Sequence, residues 1–190
     1  MKNYNYFYDF IYKMNLLKTY TVIKFHFNKN GSDLLAKIPS IIYRNGDQEY
    51  YKNGQRHRPS CEGPAVIRPA KPDCNGVACV NGYQAYYENG RCHRPSLEGP
   101  AVIHVNGNRI YYENGQRHRP SLEGPAVICP AKPDCNGAVT GVNDYQAYYK
   151  NGKLHRPFIE GPAVIRPTKP DYNGVGVNGY QMYYENGKLL

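Results

Sequence analysis

Tryptophan is absent from this chain, no Cys-x-x-Cys pair occurs, and no run of five or six charges of one sign is present. Each absence excludes something. Without Cys-x-x-Cys there is no thioredoxin-like spacing and no paired Cys-x-x-Cys zinc site. Without a block of like charge there is no basic arm or acidic tail. No stretch of 18 residues is both apolar and uncharged, so none reads as a membrane-spanning helix. Residues 1–18 mix Lys, Asp and Asn with aromatics, unlike the apolar segment of a secretory leader. The sequence also has no Gly-Lys-Ser/Thr phosphate loop, no His-Glu-x-x-His and no Gly-x-Ser-x-Gly.

What is present is one phrase written four times. Tyr-Tyr-x-Asn-Gly-x-x-His-Arg-Pro-x-x-Glu-Gly-Pro-Ala-Val-Ile runs over 50–67, 86–103, 111–128 and 148–165, with a shorter copy from Tyr183 to Leu190. Self-similarity of this kind predicts a stack of small units, each burying its apolar face only against the next. The 20 tyrosines suit such a half-wet surface, having an apolar ring and a hydroxyl that reaches water. The six cysteines are an even number, yet Cys61, Cys92 and Cys129 stand where other copies hold Leu, Ile or Arg, so they read as reduced thiols of an intracellular, cytoplasmic protein.

The unit is plainest between Tyr86 and Tyr111. Ala101 to Val105 is a β-branched strand, and Asn106-Gly107 predicts a two-residue type I′ turn. Asn108 to Glu113 returns as one strand, Asn114-Gly115 makes a second tight turn, and Gln116 to Arg119 is a third segment ended by Pro120. Alternation puts Ile110 with Tyr112 on the packed face. Ala85 with Tyr87, Ala147 with Tyr149 and Met182 with Tyr184 follow the same rule. The first tyrosines, Tyr50, Tyr86, Tyr111, Tyr148 and Tyr183, then take the exposed face.

The fold predicted is all-β: an elongated single-layer antiparallel meander of stacked hairpins over 41–190, about five units, behind a divergent cap at 1–40 of α/β character. Phe7, Phe10, Ile11, Met14 and Leu17 have helical spacing over 5–18, and Thr19 to Phe27 reads as a strand. An uncovered last strand predicts end-to-end self-association.

At these residues the sequence resembles the MORN-type repeats of antitoxin-like and uncharacterised bacterial proteins and of large DNA viruses. The resemblance covers roughly 41–190. It implies a sheet of stacked hairpins, with scaffolding, dimerisation and contact with anionic lipid as family roles; an antitoxin role is the remoter implication. The usual Tyr-x-Gly-x-Trp core is replaced here by Tyr-Tyr. The Lys-, Asn-, Ile- and Tyr-rich start of the chain suits an AT-rich genome such as that of a large virus.

Two functions from different classes follow. A non-catalytic scaffold would contact an unidentified protein partner through the Pro-Lys-Pro-Asp-x-Asn-Gly loops, using Lys71, Asp73, Lys132, Asp134, Lys169 and Asp171. An anion-binding surface for nucleic acid or acidic lipid would use the ladder His57-Arg58, His93-Arg94, His118-Arg119 and His155-Arg156, helped by the net charge of +9. Against the second, Glu62, Glu98, Glu123 and Glu160 follow each His-Arg at a distance suited to internal pairing. One histidine per repeat makes no tetrahedron for a metal, and no cofactor is implied. An enzyme needs unlike groups gathered once in a pocket, whereas these recur along a surface.

Overall fold

The computed structural model of the chain describes residues 39–70, 82–130, 145–166, 169–170, 176–177 and 179–190. The proposed cap over most of 1–40 lies outside them, as do Lys71, Asp73, Lys132, Asp134 and Asp171. Lys169 falls in a two-residue strand, Lys169–Pro170, paired with Gly176–Val177.

Ten short strands pair in chain order into one antiparallel sheet. They run from Ile41–Ile42 through Gln48–Glu49, Val66–Arg68, Tyr83–Ala85 and Val102–Ile103 to Arg109–Ile110, Val127–Cys129, Tyr145–Ala147, Val164–Arg166 and Tyr180–Met182. The all-β meander expected from the repeats is therefore the fold. No α-helix occurs among the described residues, nor any helix long and apolar enough to cross a membrane.

The unit differs from the expected one in a way that matters for its chemistry. Asn108 to Glu113 is not one strand. It breaks at Tyr111 into Arg109–Ile110, in the long sheet, and Tyr112–Glu113, which pairs with Gln116–Arg117 as a separate two-stranded ribbon. Equivalent ribbons join Tyr51–Lys52 to Gln55–Arg56, Tyr87–Glu88 to Arg91–Cys92, Tyr149–Lys150 to Lys153–Leu154, and Tyr184–Glu185 to Lys188–Leu189. The first tyrosine is the swivel between the two. Tyr111 N–H donates to Ala126 O at 2.8 Å, while its own carbonyl accepts from His118 N–H at 3.2 Å. One peptide group thus serves each layer.

This swivel reverses the expected faces of the tyrosine pair. Tyr50, Tyr86, Tyr111 and Tyr148 are the buried members, at 6–7% exposure, and Tyr183 is half-buried. The alternation rule holds only within a continuous strand, and the strand ends at this residue. The second tyrosines are half-buried. Tyr87 and Tyr112 pack on a cluster of Val66, Ala85 and Val102, while Tyr149 and Tyr184 pack on one of Val127, Ala147 and Val164. Ile110 touches both clusters and makes the thin core continuous. Ala65, Ala101, Ala126 and Ala163 have no exposed surface, which explains a small residue at that place in every full copy.

The Asn-Gly turns divide into two kinds. Asn114 and Gly115 have φ of 51° and 83°, the paired positive angles of a type I′ turn, as predicted. At Asn106-Gly107 only the glycine is positive, at 83°. There His104 N–H donates to Asn108 O (2.9 Å) and Gly107 N–H to His104 O (2.8 Å), closing a three-residue loop. The two-residue turn expected at that site is corrected accordingly. Because the strands alternate in direction, this loop and the three long Pro-Lys-Pro connections all leave from one end of the sheet. The ribbons leave from the other.

Candidate functional site

The His-Arg ladder was one candidate for binding, and its geometry shows where its polar groups go. In each full repeat the chain turns back after the ribbon and brings Arg over the first tyrosine of its own unit. The guanidinium carbon of Arg58 lies 3.9 Å from the Tyr50 ring centroid. Arg94, Arg119 and Arg156 lie 4.0 Å from Tyr86, Tyr111 and Tyr148. Planar guanidinium on an aromatic face is a favourable electrostatic contact, stronger where water is excluded. The same groups donate through Nη1 to the carbonyls of Pro64, Pro100, Pro125 and Pro162, each at 3.2 Å.

The histidines look the other way, toward the next unit. Nδ1 of His57, His93, His118 and His155 accepts the backbone N–H of Asn89, Asn114, Asn151 and Asn186, each at 3.1 Å. An acceptor at Nδ1 means that nitrogen is unprotonated, so the neutral ring is the bonding form. Two backbone bonds reinforce each junction. Arg94 N–H donates to Tyr112 O of the next unit (3.0 Å), and Gly115 N–H donates to Cys92 O of the previous one (2.8 Å). This junction bond uses only the carbonyl, so it is kept whichever of Arg56, Cys92, Arg117 or Leu154 stands there. The side chains have partners of their own: Arg56 donates to Glu49, Arg117 to the Tyr112 and Tyr149 hydroxyls, and Cys92 and Leu154 pack on the core clusters.

The expected Arg···Glu pairing is not formed. The ion pairs among the described residues are Arg56–Glu49 and Arg68–Asp47, while Glu88 and Glu113 lie 3.6 and 3.8 Å from Nε2 of His93 and His118. Glu62, Glu123 and Glu160 each keep a carboxylate oxygen with no hydrogen-bond partner. The reason is geometric: the guanidinium seated over the tyrosine ring turns its Nη1 to the proline carbonyl.

The ladder is therefore consumed by the array itself. What each unit leaves outward is the residue that is Cys61 in the first copy and Leu97, Leu122 and Ile159 in the other three. After Pro59, Pro95, Pro120 and Pro157 the chain makes one 3-10 turn, over Ser60–Glu62, Ser96–Glu98, Ser121–Glu123 and Phe158–Glu160. The middle residue of each turn points outward. Leu97 is 88% exposed, Leu122 90% and Ile159 93%, and Cys61 occupies the same place in the first unit. Phe158 adds a further exposed ring, in contact with Tyr183 at 5.1 Å. Between the third and fourth turns lies a groove of about 330 Å³, bordered by Ser121, Leu122, Pro157 and Glu160, with Lys150 and His155 also lining it.

The thiols differ sharply. Cys92 packs on the core cluster, and burial pushes its pKa up to about 12. Cys61 is exposed on its turn. Alkylation with iodoacetamide at pH 8, followed by peptide mass mapping, is expected to modify Cys61 in the folded protein and Cys92 only after denaturant is added. Equal rates at both would contradict the placement. The raised Cys92 value also has a sign for stability. The folded state keeps a proton that the unfolded thiol loses from about pH 8.5, so this contribution is complete below that pH and declines as pH rises toward 12.

No metal-binding group of three or more His, Cys, Asp or Glu exists among the described residues. Burial is the leading cause that raises the phenols of Tyr83 and Tyr145, so both remain neutral packing groups. Comparison with protein-family models, with curated proteins and with solved structures gives no match to this chain.

Proposed function

We propose that the protein is a non-catalytic scaffold for protein–protein interaction, of the MORN type that its repeats resemble. One observation carries this reading. The polar residues repeated in every unit are occupied in holding neighbouring units together, while an aliphatic side chain of no use to the fold stands exposed at the same turn of successive units. Single exposed apolar side chains are ordinary on a protein surface and a contiguous apolar patch marks an interaction site; Leu97, Leu122 and Ile159 stand at matching turns of successive units, where a partner can cover them together. The Pro-Lys-Pro-Asp loops, leaving from the far end of the same strands, offer a second contact edge through Lys71, Lys132 and Lys169.

The anion-binding alternative loses support from the same geometry, because Arg58, Arg94, Arg119 and Arg156 are each engaged by a ring and a carbonyl. Affinity capture from native cell extract, with and without nuclease, separates the two. A scaffold keeps its partner after nuclease and at raised salt, whereas polyanion binding falls steeply with salt. Replacing Lys71, Lys132 and Lys169 together by alanine is expected to leave the melting midpoint unchanged and to weaken capture. Capture equal to wild type removes the loops as the contact edge.

A further inference from the structure

The turn ridge has a pitch, and the pitch selects what can lie along it. Each unit contributes two strands to the long sheet, and neighbouring strands are about 4.8 Å apart, so successive turns are about 9.6 Å apart. From Cys61 to Ile159 are three such steps, about 29 Å. An α-helix presents one face every seven residues, or about 10.5 Å, and slips by about 3 Å over that distance. A polyproline II segment turns once every three residues, about 9.3 Å, and stays within about 1 Å of register. Its backbone makes no internal hydrogen bonds and remains solvated, so an open ridge costs it little. The ridge consists of 3-10 turns and offers no ladder to an added strand.

Charge selects further. Glu88 and Glu113 lie 3.6 and 3.8 Å from the Nε2 of His93 and His118 in the second and third units. The fourth unit has Lys150 at that position. Lys150 is exposed, makes no ion pair among the described residues, and lines the groove with His155. Glu160 is the acidic group in that groove, and Arg119, also lining it, is held on Tyr111. One groove thus offers an unpaired cation beside Leu122, while the corresponding positions of the two preceding units offer carboxylates.

We propose that the ridge of Cys61, Leu97, Leu122 and Ile159 binds a polyproline II segment of a partner protein, apolar at every third residue. A carboxylate of that segment faces Lys150, and basic residues three and six positions away face Glu113 and Glu88. This rests on the scaffold reading and gives its partner a chemistry.

The test uses the full chain and fluorescently tagged peptides read by anisotropy. The probes are Leu-Pro-Glu-Leu-Pro-Lys-Leu-Pro-Lys-Leu-Pro, the same peptide in reverse order, and both with Glu and Lys exchanged. One of the first two is expected to bind about tenfold more tightly than its exchanged form. Lys150→Glu is expected to remove that preference, and Leu122→Ser to weaken binding about tenfold, with both melting midpoints unchanged because these side chains are exposed. Equal binding of all four probes, or a preference that survives Lys150→Glu, overturns the proposal. So does a dimer of the protein that Leu122→Asp dissociates, since the ridge then belongs to a second copy. Peptides that fail while capture still depends on the loop lysines exclude the ridge and leave the scaffold reading standing.

Discussion

Gly124→Val is expected to lower the melting midpoint by roughly 6–12 °C, corresponding to a loss of about 3 kcal/mol in a chain of this size. Gly124 closes the third 3-10 turn at φ 119°, ψ −170°, a region that residues with a side chain rarely enter and that costs about 1–3 kcal/mol when they do. A Cβ built there meets Arg119 Nη1 at 3.0 Å and Cζ at 3.4 Å. The clash falls on the guanidinium that covers Tyr111, so valine must also displace a stacked group with its own partner at Pro125. In a repeat array, stability is a sum of units and junctions. Damage at one turn therefore separates the units before it from those after it. Calorimetry is expected to show the single transition broadening or dividing. Leu122→Val, two residues away on an exposed side chain, is the control and leaves the transition where it was. A Gly124→Val midpoint within a degree of wild type would refute this account of the turn.

Much of the architecture was readable because its cause is local. Asn114-Gly115 needs two positive φ angles, and that dipeptide supplies them at least cost. The identical dipeptide at Asn106-Gly107 misled because turn type depends on which residues close the hairpin, here His104 with Asn108, and that is fixed by strand register. The faces of the tyrosine pair were misread for a related reason. Nothing within Arg109–Glu113 announces that Tyr111 changes sheets; the cause is Ala126 and His118, 15 and 7 residues later, which claim its N–H and its carbonyl. Pairing Arg119 with Glu123 was the nearest solution in sequence. Stacking on Tyr111, eight residues back, was invisible until the ribbon folded over.

The exposed ridge had a weak signal of its own. In Ser96-Leu97-Glu98 and Ser121-Leu122-Glu123 a leucine sits alone between polar residues, following proline and preceding glycine. That pattern places it on a short turn, but whether a turn residue faces the core or solvent is decided by the direction of the turn against the sheet. The sequence marked these positions as equivalent and left their exposure to be seen in the structure.

The stack of Arg119 on Tyr111 makes the largest quantitative prediction of the molecule. Tyr111→Ala removes a ring that is 7% exposed at the junction of the two sheets, and truncation of a buried aromatic costs about 3–5 kcal/mol. Arg119→Ala loses the cation–π contact, about 1–2 kcal/mol when partly desolvated, and the bond to Pro125 O. Because the two side chains are in direct contact, the double variant is expected to be more stable than the sum of the single losses implies, with a coupling of about 1–2 kcal/mol. Tyr111→Phe keeps the ring face and is expected to cost under about 0.5 kcal/mol, since the stack uses the ring and not the hydroxyl. Urea titrations of the four proteins in the cycle, with Tyr111→Phe beside them, give these numbers directly. Strict additivity would mean that arginine is only a lid of methylenes over the ring. A Tyr111→Phe loss as large as that of Tyr111→Ala would move the interaction from the π face to the hydroxyl.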